Sequence, residues 1–156
     1  MKQRLVSAVV LGALVVGLGG VVLAQDKEAQ VKERREFMKS MAKRMGVIKA
    51  YTEGKADIGA ATQSAQELAQ SVPQISGHFP VDTSMANFPG KSGARPSIWT
   101  DWNNFLAKQR GLDEQVGKLN VVMKEGDKEK IAAQFGNVGK QGCGGCHESY
   151  RVKLDN

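Results

Sequence analysis

The sequence predicts an all-α protein, an antiparallel four-helix bundle, from three observations. Four segments repeat apolar residues at helical spacing, and no segment alternates them with the period of a strand. The first and last of the three connections are short, whereas the middle one is long and holds all four prolines. Two tight turns and one crossover are the connections of an antiparallel bundle.

The first helix is expected from Asp26 to about Tyr51, with Val31, Met38, Met41, Met45 and Ile48 on one stripe. Glu53-Gly54-Lys55 breaks it. Asp57, a good N-cap, opens the second helix, whose stripe is Ile58, Ala61, Ala65, Leu68 and Val72 before Pro73 stops it. Its small residues Ala61, Ala65 and Ala69 would permit close contact with a second subunit. Residues 73–96 form the long connection. Pro96-Ser97 begins the third helix, with Ile98, Trp102, Phe105, Leu112, Val116 and Leu119 inward. Gly126-Asp127 ends it and caps the fourth, whose stripe is Ile131, Phe135, Val138, Gly142 and Cys146.

The N-terminus reads as an export signal. Lys2 and Arg4 precede an uncharged run from Leu5 to Ala24, which ends Val22-Leu23-Ala24 before charge begins at Asp26. Residues 1–24 are therefore expected to be a cleaved secretory signal peptide, with an uncleaved anchor as the alternative. Cleavage leaves residues 25–156 as one domain and lowers the formal charge of +6 by two. Many of the basic residues lie between Lys32 and Lys49. A solvated helix face is preferred there over a docking surface for an acidic partner. No motif supports nucleic-acid binding, and nothing resembles a catalytic triad, paired carboxylates or a phosphate loop, so no enzymatic role is expected.

Cys143-Gly144-Gly145-Cys146-His147 is the most specific feature of the chain. It holds both cysteines of the 156 residues. C-x-x-C-H is the attachment pattern of a c-type haem: two thiols add to the two porphyrin vinyl groups, and the next histidine reaches the iron. A disulfide-linked or redox-active thiol pair is a weaker reading, and zinc weaker still, since His78 is the only further histidine and a structural site needs four ligands. On a helix, Cys146 and His147 follow Cys143 by three and four positions and share its face. Gly136, Gly139, Gly142, Gly144 and Gly145 each cost about 1 kcal/mol of helix stability against alanine, which a flat macrocycle close to the backbone would explain. Attachment of haem c takes place outside the cytoplasm, in agreement with the N-terminal reading.

The signal segment, the four helices and the C-terminal C-x-x-C-H followed by Tyr150 and Arg151 resemble the class II cytochromes c, the cytochrome c-prime family. Arg34-x-x-x-Met38 in the first helix and Pro96-Ser97-Ile98-Trp99 at the opening of the third extend the resemblance. It implies one covalent haem c in the bundle near the C-terminal helix, bound through Cys143 and Cys146, with His147 as proximal iron ligand. Many members are homodimers.

Arg34 lies on the inward stripe, where an unpaired charge is costly. A haem propionate is its expected partner, matching the family's first-helix arginine; an arginine whose stem merely packs is the alternative. Met38 is then distal to the iron, either as its sixth ligand or as packing over it. The first arrangement makes a periplasmic one-electron carrier with a redox partner protein. The second makes a five-coordinate site for nitric oxide or carbon monoxide. His78 is expected to be a surface group of the loop rather than a ligand, and Trp99 and Trp102 to be core. A haem-free helical interaction protein with joined cysteines is the remaining class.

Overall fold

A computed structural model describes residues 19–154. Residues 1–18 of the expected signal segment lie outside the described residues. Helix α1 (Gly19–Thr52) includes the expected junction after Ala24 in its first turns. Its stripe is inward as read: Val31 and Ile48 are buried, Met41 nearly so, and Met38 and Met45 pack partly buried against the same core. The helix ends where Gly54 turns the chain.

Helix α2 (Ile58–Ser71) is capped by Asp57, whose side chain accepts from the Ala60 N–H at 2.9 Å. Ala61, Ala65 and Leu68 are buried inside the bundle. Ala61 and Ala65 therefore serve the core of their own chain and are not available to a second subunit. Ile58, expected inward, is 39% exposed; it is the first residue of α2 and lies beside Gly126. Pro73 does not end helical structure. It enters the first turn of a 3-10 segment (Val72–His78), where a missing N–H costs nothing.

The third helix is interrupted. A single turn, α3 (Ser97–Thr100), is separated from α4 (Trp102–Glu125) by Asp101, whose backbone leaves helical geometry (φ −129°, ψ 41°). The Asp101 carboxylate accepts from the Tyr150 hydroxyl at 2.8 Å and from Asn104 Nδ2 at 2.9 Å. The fourth helix is also divided: α5 (Lys128–Asn137), a π-helical turn (Val138–Gly144) and α6 (Gly145–Tyr150). The Gly145 N–H reaches back five residues to the Lys140 carbonyl, the π-helical bond. Gly139, Gly142 and Gly144 weaken the α-helical alternative in this stretch.

α1 packs on α2 and α5, α2 on α4, and α4 on α5, the π turn and α6. Ile48, Leu68, Val116, Leu119, Ile131 and Val138 fill the centre and are at most 1% exposed. Each contributes roughly 1.5–3 kcal/mol by leaving water. The long connection closes over the other end of the bundle. Lys27 bonds Asp82 and Lys91 bonds Glu28, both at 2.7 Å, tying it to α1. Ala94 and Arg151 form an antiparallel bridge that ties it to the C-terminal tail.

Candidate functional site

The π turn and α6 bring Cys143 and Cys146 to the inner side of the fourth helix, half-buried against the core and not joined to each other. Burial pushes both thiols up, Cys146 to about 11 even with Lys108 opposing the shift. Both are therefore protonated at neutral pH. A redox-active Cys-x-x-Cys works instead by lowering a thiol pKa, so this environment disfavours the thiol-exchange reading.

His147 follows on the outer edge of the same turn, its residue exposed. Partial loss of hydration at the ring lowers its pKa, and the nearby Arg151 charge lowers it further. The imidazole is neutral at pH 7, the form that ligates metals. Its Nδ1 stands 3.4 Å from Arg151 Nη1. The tautomer that offers Nε2 to a metal carries its proton on Nδ1 and leaves no lone pair there for the guanidinium. Ligation through Nε2 would therefore open this contact.

Arg34 is buried, at 4% exposure, but its partners are not anions. Nη1 donates to the His78 carbonyl at 3.3 Å and to Thr83 Oγ1 at 2.8 Å. Nη2 donates to the Thr83 carbonyl at 2.8 Å and to Ser92 Oγ at 2.9 Å. The guanidinium carbon lies 4.8 Å from the centroid of the Phe79 ring. Burial without a carboxylate neighbour lowers the Arg34 pKa to about 10. Among the described residues, neutral oxygens and a ring face solvate the guanidinium. All four Nη hydrogens are matched to acceptors, and Nε alone is left to meet a propionate.

Met38 lies one turn beyond Arg34, partly buried in the same cluster as Phe37, Phe79, Trp99 and Trp102. Phe79 meets Phe105 edge-on at 4.8 Å, and Phe105 meets Tyr150 at 5.5 Å, so aromatic contacts run from the Arg34 side to the motif helix. Trp102 stacks on Phe105 at 5.2 Å, while Trp99 Nε1 donates to the Phe79 carbonyl at 3.1 Å. His78 is not the surface group expected. Its side chain is 19% exposed, stacked on Phe37 at 4.0 Å and 3.8 Å from a Glu33 carboxylate oxygen.

These positions fit a covalent haem. Two free thiols and a neutral imidazole stand on a helix that packs on α4, and α1, with Met38, packs on α2 and α5. The motif and the first-helix pair thus belong to elements that are not each other's main packing partners, as a flat group between them requires. A cavity of about 630 Å³ lies elsewhere, lined by Gln30, Glu33, Gln74, His78 and Pro80. None of the five candidate residues lines it.

Residues 29–151 match the family described as Cytochrome C'. The chain belongs to the cytochrome c' family. It is 33% identical over 130 residues to a cytochrome c' of Alcaligenes xylosoxydans xylosoxydans, covering 81% of this chain and 95% of that one. It is 29% identical over 153 residues to a cytochrome c-556 of Rhodopseudomonas palustris, covering 94% and 97%. Among solved structures, a nitric oxide complex of a cytochrome c prime variant from Alcaligenes xylosoxidans superposes with a TM-score of 0.70 at 29% identity, covering 81% of this chain and 97% of that chain. The family's cofactor is one covalent haem c, and the bundle expected from the sequence is the family's fold. No described helix is long and apolar enough to cross a membrane.

The sequence reading missed Thr83, Ser92 and Phe79. The first two are small polar residues buried in a loop, which no periodicity marks. Phe79 stands in a proline-flanked stretch where helical spacing has no meaning.

Proposed function

We propose that this protein is an exported haem c protein that carries single electrons in the periplasm. The observation that carries the reading is the pair of half-buried cysteines, Cys143 and Cys146, not joined to each other and followed directly by His147, in a chain of the cytochrome c' family. When bound, haem c supplies a one-electron iron couple. Cys143 and Cys146 would hold it covalently and His147 would be its proximal ligand. Met38 would stand on the distal side, and its thioether would complete a methionine–histidine pair that raises the potential. Phe79, Trp99 and Trp102 pack partly buried against the same core as Met38. Export is supported by Lys2 and Arg4 ahead of the uncharged run to Ala24.

The redox partner would be another protein. Three cations of the α1 run are already paired, Lys39 with Glu36, Arg44 with Glu67 and Lys49 with Glu53, which favours a solvated face over an acidic docking partner. A homodimer, common in the family, would have to use residues other than Ala61 and Ala65.

A second reading is favoured by one observation: one of the solved neighbours is a nitric oxide complex. In it, Met38 packs over an open sixth position and this protein binds a diatomic gas. Visible spectra of the oxidised and reduced protein, with and without carbon monoxide, decide between the two. Low-spin bands, a methionine–iron charge-transfer band and no response to carbon monoxide are expected; high-spin bands that respond strongly make gas binding the function. Replacing both Cys143 and Cys146 by alanine should give protein from which acidified organic solvent extracts all haem.

A further inference from the structure

Three segments far apart in sequence bring unpaired cations together around α6. Arg95 belongs to the long connection, Lys108 to α4, and Arg151 and Lys153 to the C-terminal tail. All four residues are exposed, and none meets a carboxylate among the described residues. Arg151 Nη1 stands 3.4 Å from His147 Nδ1. Arg95 Nε donates to the Arg151 carbonyl at 3.3 Å, and the Arg95 N–H to the Tyr150 carbonyl at 3.0 Å. Between the two tail cations, the Val152 N–H donates to the Gly93 carbonyl at 2.8 Å. Lys108 lies close enough to Cys146 for its charge to oppose the upward shift of that thiol.

Two carboxylates stand near these cations and do not cancel them. Asp101 already accepts from the Tyr150 hydroxyl and from Asn104. Glu148 is exposed on α6 and makes no ion pair among the described residues. Haem propionates would not neutralise the group either. A porphyrin carries its vinyl and propionate groups on opposite edges, so propionates point away from cysteines that hold the vinyl positions. Their expected partner, Arg34, belongs to α1. On α1 itself Lys39, Arg44 and Lys49 have carboxylates of their own. Cys143 and Cys146 are half-buried beneath the motif face, so positive charge gathers directly over the attachment site.

We propose that Arg95, Lys108, Arg151 and Lys153 form the docking surface for an acidic redox protein, which meets this protein over its motif helix. This rests on the electron-transfer reading above and names the partner's chemistry. Exposed charges of one sign attract an anionic surface at a distance and orient it before contact, raising the association rate more than the affinity. One electron then passes between the two proteins; no bond is made or broken and no proton moves.

The probe is an acidic blue-copper protein, whose copper(II) takes one electron from the reduced, haem-loaded protein. Oxidation is followed by stopped flow at increasing salt. The wild-type rate should fall steeply, because salt screens exposed charges. Lys108→Glu combined with Arg95→Glu should lower the low-salt rate by about tenfold and flatten its salt dependence. Lys108→Gln, which only removes a charge, should lower it less. Lys118→Glu makes the same reversal about 15 Å further along α4, outside the group, and should keep most of the rate. Arg151 is left in place because it touches His147. Midpoint potentials of all variants are compared, so that a change in driving force is not read as lost docking. Covalent haem is assayed first, and its absence from the wild type overturns the electron-transfer reading. With haem present, a salt-independent rate, or an equal loss in Lys118→Glu, overturns the docking surface alone. Phosphatidylglycerol vesicles that bind the wild type but not Lys108→Glu, with the copper-protein rate unchanged, would assign the surface to lipid headgroups and overturn the protein partner.

Discussion

The two ends of this bundle share α1 and α4 but are built differently. At one end Ile48, Leu119, Met123 and Ile131 are at most 3% exposed, and the helices are joined by tight turns at Gly54 and Gly126. At the other, Met38, Phe37, Phe79, Trp99, Trp102, Cys143 and Cys146 are only partly buried, and a loop and a tail complete the wall. The closed end is aliphatic and self-sufficient. The motif end is aromatic and sulfur-rich, contains a buried cation, and depends on segments distant in sequence. Stability should therefore reside mainly in the first, and response to haem chemistry in the second.

Exchanging the consequences would break that division. Leu119→Ala removes a fully buried side chain and should cost about 3 kcal/mol in urea unfolding, with the visible spectrum unchanged. Met38→Ala should do the opposite: a smaller loss of stability, with altered distal spectra and faster carbon monoxide binding. If Leu119→Ala moves the spectrum as much as Met38→Ala does, the ends are not separable.

A smaller effect sharpens the boundary between them. A Cβ on Gly142 would stand 2.6 Å from Leu112 Cδ1 and 3.5 Å from Leu112 Cα, so the π turn sits on α4 at a distance that glycine sets. Gly142→Ala should destabilise by about 1–3 kcal/mol, and Leu112→Ala in the same chain should recover part of it. A Cβ on Gly136 meets nothing within 4 Å, so Gly136→Ala should stabilise by up to ~1 kcal/mol through helix propensity. Thermal unfolding of the three variants checks both signs.

How far the sequence was legible follows the same division. Helical spacing identified Val31, Ile48, Leu68, Val116, Leu119 and Ile131, because aliphatic residues on a continuous helix must face inward. It gave the closed end almost entirely. It failed where the helix itself changes. Spacing of three and four presumes an α-helix, but Cys143 lies in a π turn, and His147 stands at an exposed edge. The third helix was read as continuous because Trp102 and Phe105 keep the period, whereas Asp101 leaves helical geometry and meets the tail through Tyr150. Arg34 was placed on the inward stripe correctly. Its partners were not legible, since a loop carbonyl or hydroxyl can come from any residue.

The Tyr150–Asp101 bond gives the smallest effect, one that pH can isolate. Burial, then the bond to Asp101 and its negative charge, pushes the Tyr150 phenol up to about 12. In the unfolded chain it titrates near 10. Between these values the unfolded state loses its proton first, so this contribution is complete below pH 10 and is lost as the pH rises towards 12. Arg34 works in the opposite sense. Burial lowers it to about 10, so above that pH the unfolded chain holds the proton more firmly and stability rises. The two slopes partly cancel in the wild type, and both belong to the motif end. Subtracting the Tyr150→Phe melting profile from the wild-type one, by far-UV ellipticity from pH 9 to 12, removes the arginine term common to both. The difference should favour the wild type at pH 9 and shrink towards pH 12. A difference independent of pH would mean that the hydroxyl contributes only packing, and that the tail is held to α4 without help from the Asp101 charge.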